Sequence, residues 1–316
     1  MSASPAEPDP CNTGRTAPVG RRRNDLLQYS RPTLTADAGG LATKSEPPAP
    51  RFVIQRRDTS LNYLTTHARI VTAFVIREIA TRYGRSPGGY VWALLEPVAF
   101  IGLMSLLLGS LGRLPALGTS FTLFYATGYL AFSMYKGMEG YLVSAISSNK
   151  SLMSYPKVSP FDAVVGRLIL QGMTSCVVTW VIIYAAMWTT NQPITLQWSC
   201  IVEAIAFAWI MALGVALGNT VLFFKFPLYQ KIFDIVMRPL FLLSGVFYVP
   251  SHMPHPFSDV LLANPVTQVV VLFREGFYVQ HGDTGLDMPF LIATSTGLLF
   301  VGMLLFTIFP VARARD

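Results

Sequence analysis

The stretch Arg77-Glu-Ile-Ala-Thr-Arg-Tyr-Gly-Arg-Ser-Pro-Gly-Gly-Tyr-Val-Trp-Ala-Leu-Leu-Glu-Pro97 decides how the rest of the chain is read. Arg77, Arg82 and Arg85 form a basic collar. Ser86-Pro87-Gly88-Gly89 interrupts the backbone, and Tyr90 and Trp92 stand where an apolar run begins. Arginines beside Tyr and Trp at the edge of a hydrophobic segment describe a cytoplasmic membrane boundary. A turn between two helices of a soluble domain would use the same breakers. The residues from Val98 to Gly112, however, carry no charge at all.

Downstream, apolar runs alternate with short charged loops. Val91 to Gly112 holds only Glu96, and Phe121 to about Ile146 contains Lys136 and Glu139. Leu168 to Thr190 is uncharged, and Ile201 to Phe224 has Glu203 near one end. Ile232 to Pro250 is marginal because Asp234 and Arg238 shorten its clean portion, and Pro289 to Pro310 closes the set. A span takes about 20 residues, so six spans are expected. Loop charges give an independent check. Lys150, Lys157 and Arg167 surround one loop, Lys225, Lys231 and Arg238 another, and Arg313 and Arg315 follow the last run. The opposite loops hold Arg113 alone, no charge between Asn191 and Ser199, and mostly acids between Ser251 and Met288. Lys and Arg counts orient a membrane protein, and here they alternate at every crossing. Both termini fall in the cytoplasm.

Upstream of the collar, Leu61, Leu64, Ala68, Val71 and Val75 share a helical face widened by Phe74, as period 3.6 requires. Glu78 and Arg82 return to this stripe as an i, i+4 pair. Such a helix, over 58–86, suits the membrane surface; a helix of a soluble bundle is the plainer alternative. Residues 1–57 mix Pro, Ala, Arg, Ser and Gly without periodicity and read as a disordered basic cytoplasmic tail. They hold nine of the 24 Lys and Arg residues, within a formal net charge of +7. A basic tail beside a membrane core meets anionic lipid rather than nucleic acid. No apolar region of signal-peptide length follows Arg21-Arg22-Arg23. Cys11, Cys176 and Cys200 are too scattered for a disulfide framework or a zinc site.

Catalytic chemistry is sparse. There is no G-x-x-x-x-G-K-[ST] loop, no H-E-x-x-H and no G-x-S-x-G, and His252 and His255 have no third metal ligand in view. The charges inside the spans say more, since such groups face partners, the bundle interior or water. Lys136 and Glu139, three apart, form either a structural ion pair or part of a polar path. Tyr125, Tyr129, Phe132 and Tyr135 add rings at spacings of three and four. They offer surfaces along which sugar rings slide, and ordinary helix packing explains them as well. Glu96 precedes Pro97, where it meets backbone groups freed by the proline or pairs with an arginine of the collar. Between Ser251 and Met288, Asn264-Pro265 splits an apolar stretch into two short pieces. Backbone of that kind survives at membrane depth only inside protein or around water.

Together these segments resemble the permeases of ABC-2 type exporters, specifically those for capsular polysaccharide. The likeness lies in Gly89 to Pro97, in Ser151 to Asp162, and in Asn264-Pro265 followed by Arg274-Glu275, and covers roughly residues 60 to 310. It implies an all-α polytopic membrane protein: an N-terminal amphipathic interfacial helix, a six-helix transmembrane domain over 87–316, and periplasmic re-entrant helices. On this likeness Glu78, Arg82, Arg85, Trp92, Glu96 and Pro97 form an interfacial gate. Asn149, Lys150, Leu152, Tyr155, Pro156 and Lys157 couple to the ATPase, and Asn264, Pro265, Arg274 and Glu275 make a periplasmic gate with the last two near its rim. Tyr125, Tyr129, Phe132, Tyr135, Lys136 and Glu139 are placed on the substrate path. It further implies a homodimer in the bacterial inner membrane, with separate ABC ATPase subunits that bind ATP and Mg. The cargo is a lipid-linked polysaccharide handed to periplasmic and outer-membrane capsule export proteins. No cofactor is expected in this chain, which is a transporter rather than an enzyme. An O-antigen or teichoic-acid permease is the neighbouring reading; a membrane enzyme acting on lipid-linked glycans is the reading from another class.

Overall fold

A computed structural model describes residues 60–83, 89–110, 115–153, 158–190, 195–278 and 285–309. Every regular element among them is helical. The long helices are α1 (Ser60–Tyr83), α2 (Gly89–Gly109) and α3 (Phe121–Val143), the last followed by the single turn α4 (Ala145–Ser148). Next come α5 (Pro160–Trp188), α6 (Trp198–Lys225) and α7 (Pro227–Leu243). Two short helices, α8 (Phe257–Leu262) and α9 (Pro265–Glu275), precede α10 (Met288–Ile308). The expected tail and Arg85, Tyr155, Pro156 and Lys157 lie outside the described residues.

The helix starts follow from local chemistry. Ser159 and Asp162 close a reciprocal capping box with Pro160 at the first position, so α5 begins eight residues before its apolar run. Asn264 accepts from the Val266 N–H at 3.0 Å and Pro265 opens α9, which breaks the apolar stretch where the sequence predicts. Asp287 caps α10 in the same way. The marginal fifth run is shorter than expected. α7 stops at Leu243 because Gly245 takes φ 70°, a conformation that ends helices and favours glycine.

α3 and α6 form the centre. α5 and α2 flank α3, α10 lies along α6, α9 is wedged against both α3 and α6, and α1 rests on α5. α6 and α10 meet backbone to backbone, since a Cβ on Gly302 would lie 2.0 Å from the Gly214 carbonyl oxygen. Among the described residues, four helices are long and apolar enough to cross a membrane: α2 from Val91, α5, α6 and α10. α3 falls short through Lys136 and Glu139, and α7 through its 17-residue length. The outward faces are apolar. Trp92, Leu106, Trp180 and Trp188 are each at least 65% exposed, which would be a liability in water and suits contact with lipid.

Candidate functional site

Near the α1 end of the bundle, a polar network fixes α1 to its neighbours. Along α1, Phe74 and Glu78 are buried and His67, Val71 and Val75 half-buried, while Ala68 of the expected stripe is exposed. Phe74 and the Val71 carbonyl sit over Gly166 of α5, where a Cβ would come 3.0 Å from Phe74 Cβ. Glu78 does not pair with Arg82. Its carboxylate meets Arg167 of α5 at 2.6 Å and accepts from Tyr141 Oη at 2.9 Å. The reason is burial: Glu78 faces α5, and a buried carboxylate needs a partner inside the interface. Arg167 also donates to the Tyr141 carbonyl and to Ser144 Oγ. The Tyr141 ring lies between two guanidinium groups, Arg82 at 4.2 Å and Arg167 at 4.5 Å. Asp162 caps α5 and holds His67 Nδ1 at 2.9 Å.

Arg82 then reaches Gln171 Oε1 at 2.6 Å, at the edge of a cavity of about 490 Å³ bounded by α2, α3, α5 and α7. This cavity gathers residues the sequence assigns to two different roles. Arg82, Glu96 and Pro97 come from the interfacial gate, and Tyr129, Phe132 and Lys136 from the substrate path. Among the described residues Glu96 forms no ion pair or hydrogen bond, neither with Arg77 nor with Arg82, and Arg85 of the collar lies outside them. Phe100 stacks on Tyr129 at 4.5 Å, and Phe241 packs edge-on against Phe132 at 5.0 Å, so rings cover one side. The facing wall is α5, through Gln171, Thr174, Ser175 and Thr179. Sequence reasoning passed over these four because their run holds no charge. Their spacing of three and four, a polar line in an apolar helix, was the available signal.

Three expected path residues lie elsewhere. Glu139 is 1% exposed and pairs with Lys136 at 2.9 Å while accepting from Asn219 Nδ2 at 2.9 Å. Tyr229 Oη donates to Asn219 Oδ1, so the network ties α3 to α6 and α7. The structural ion pair is thus present, with Lys136 also reaching the cavity. Tyr135 is buried, away from the cavity, and Tyr125 packs against Phe121, Phe124 and Phe247. Trp92 points outward from α2.

Arg274 corrects the expectation of a rim. It is 3% exposed, donating to the carbonyls of Gly245 at 2.5 Å, Val246 at 2.7 Å and Tyr248 at 3.0 Å. Its guanidinium lies 4.2 Å from the centre of the Phe124 ring. The turn after α7 leaves carbonyls without helical partners, and a planar five-donor group satisfies several at once. Val266 to Arg274 are all buried, so α9 is interior rather than peripheral, while Glu275 is half-buried. Within the expected coupling segment, Asn149 is buried and engaged by Arg77 Nη1 at 2.8 Å. Lys150 is exposed, and Leu152 is half-buried.

A family model for the ABC-2 type transporter matches residues 69–278. The polysialic acid transport protein KpsM of Escherichia coli is 28% identical over 244 residues, 75% of this chain and 92% of its own length. The capsule polysaccharide export inner-membrane protein CtrC of Neisseria meningitidis is 24% identical, covering 77% and 92%. BexB of Haemophilus influenzae, described in the same words, is 23% identical, covering 77% and 91%. The cavity, the Val71-to-Arg82 part of α1 and the break at Asn264-Pro265 fall inside the matched region, and the chain belongs to the ABC-2 type transporter family.

Proposed function

We propose that the chain is the transmembrane permease subunit of an ATP-driven exporter that moves lipid-linked capsular polysaccharide across the inner membrane. The observation that carries this is the cavity where the interfacial helix meets the bundle. It pairs aromatic faces with a polar wall, among helices whose outer surfaces suit lipid. The names of CtrC and BexB, both capsule polysaccharide export proteins, favour capsule export over O-antigen or teichoic-acid export. The chain is a transporter, not an enzyme, and hydrolysis of ATP belongs to a separate subunit. Six crossings, with α3 and α7 added to the four apolar helices, agree with the loop charges and with cytoplasmic termini. α8 and α9 then form the re-entrant pair. Two copies of the chain, two ATPases and the periplasmic and outer-membrane capsule proteins complete the machine. Cells lacking the chain are expected to lose surface polysaccharide and accumulate it inside; undiminished surface polysaccharide would reject the reading.

Two further results are expected. In a background without Cys11, Cys176 and Cys200, single cysteines at the exposed positions Ser147 and His255 should react from opposite sides of the membrane. Reaction of both from the periplasm contradicts six crossings. Replacing Leu152 with Asp puts a charge into an apolar docking contact at a cost of about 3 kcal/mol. That is more than a hundredfold weaker ATPase docking, read by co-purification while the permease remains inserted. Unchanged co-purification would remove this segment from coupling.

A further inference from the structure

α5 and α6 are consecutive and meet where the Trp209 indole rests on Gly172, at which a Cβ would come 2.9 Å from the ring. From there towards the connecting loop the two helices part, leaving a groove of about 500 Å³ that runs from Cys176 to Met187 on α5 and from Ile205 to Trp198 on α6. Its floor is α9, whose own packing is against α3, α6 and α10. Phe273 and Phe277, with ring centres 5.3 Å apart, form that floor. The Gln197 N–H donates to the Gly276 carbonyl at 2.9 Å and so fastens the end of α9 to the start of α6. The α5 lip is an aromatic ladder: Trp180 stacks on Tyr184 at 5.8 Å, and Trp188 continues it at 6.2 Å. These three rings and Trp198 are exposed, so the groove opens sideways towards lipid.

What fills the groove follows from its chemistry. Among the described residues that line it, none is charged and none carries a side-chain amide. A buried water needs two to four polar partners, which such a surface does not supply. Left empty, the lining would forfeit the dispersion contacts that lipid gives the rest of the outer surface. A second copy would have to insert a helix about 10–12 Å wide between helices that close on each other at Trp209. A hydrocarbon chain is far thinner, and its length agrees. From Cys176 to Met187 α5 rises about 16 Å at 1.5 Å per residue, close to half of a hydrocarbon core about 30 Å thick. Trp188 and Trp198 stand at the open end, at headgroup depth. We propose that the groove binds one acyl chain of a phospholipid, drawn from the leaflet that borders the α5–α6 loop. The chain lies along the ladder, over Phe273 and Phe277, with its methyl end towards Trp209. Residues 189–199 hold no Lys or Arg, so the site reads the chain and not the headgroup charge. Thr179 borders both this groove and the polar cavity, so the bound chain backs the α5 wall of that cavity.

The test uses permease and ATPase reconstituted together in nanodiscs that contain no cargo. The probe is a phosphatidylcholine with a photoreactive diazirine at the end of one acyl chain, and a phosphatidylglycerol with the same chains is its anionic counterpart. Irradiation should label α5 near Cys176 and α6 near Ile205 about tenfold more than the region of Phe300, exposed midway along α10; about ten extra carbon contacts suffice for that preference. Both headgroups should give the same pattern. Cys176→Phe fills the inner end of the groove and should bring labelling there down to the level of α10, with α10 itself unchanged. Groove labelling no stronger than that of α10 in the unmodified protein would overturn the proposal, whatever the variant does; a second copy covering the groove gives that result. Undiminished groove labelling of the folded variant, or groove labelling by phosphatidylglycerol alone, would also overturn it. None of these readouts depends on export, so failure of the capsule-export reading leaves the proposal standing.

Discussion

Replacing Arg274 with Met should leave little folded permease. The thioether fills much of the space but donates nothing, so the carbonyls of Gly245, Val246 and Tyr248 lose their donors together. Each buried unsatisfied carbonyl costs about 1–3 kcal/mol. Relief from burying a cation without a carboxylate beside it returns part of that sum. The net cost is expected at about 3–5 kcal/mol, a large fraction of a typical domain's stability. Arg274→Lys should fall between, since an ammonium is a point donor and cannot span three carbonyls. The yield of monodisperse protein after extraction and the midpoint of thermal unfolding report the effect. Wild-type stability of the Met variant would show that the turn after α7 holds itself.

An effect of similar size is expected where α6 and α10 cross. A Cβ on Gly302 would sit 2.0 Å from the Gly214 oxygen and 2.8 Å from its carbonyl carbon, and neither backbone has a side chain's freedom to swing aside. Gly302→Val therefore forces the helices apart along their contact. Association of helices in lipid depends on such packing, because lipid tails are as apolar as the side chains they would replace. The variant should fail to accumulate, and Gly214→Val should do the same against the backbone of Leu298. Gly297→Ala is the control. It meets nothing within 4 Å and should be neutral or gain up to about 1 kcal/mol from helix propensity. Equal behaviour of Gly302→Val and Gly297→Ala would refute the close-packing account.

Much of the helical order was legible because it depends on local patterns. Runs of apolar residues, breakers and caps mark α2, α5, α6, α9 and α10 within one stretch of chain each. Asn264-Pro265 announced its break through two properties of neighbouring residues. The site was legible in pieces. Arg82, Glu96 and Lys136 stood out as charges at or within apolar segments, but nothing local says that they meet. Glu78 finds Arg167 across 89 positions of sequence, and the favourable i, i+4 spacing to Arg82 pointed the other way. Arg274 was misplaced for a related reason. Next to Glu275 it reads as a rim residue, and only the stray carbonyls after Gly245 explain why a guanidinium belongs inside. The α5 line was missed because hydroxyls bonded to their own helix barely lower its apolar character.

The seating of α1 has a mechanical corollary. Its carboxylate plug, Glu78, leaves with α1, whereas the socket stays assembled: Arg167 keeps Ser144 Oγ and the Tyr141 carbonyl, both outside α1. Partial withdrawal separates the two charges before water can reach either, so halfway positions are the least favourable ones. Motion of α1 would accordingly proceed in discrete jumps between seated and released, with a waiting time set by breaking the Glu78–Arg167 pair together with the His67–Asp162, Arg77–Asn149 and Arg82–Gln171 contacts.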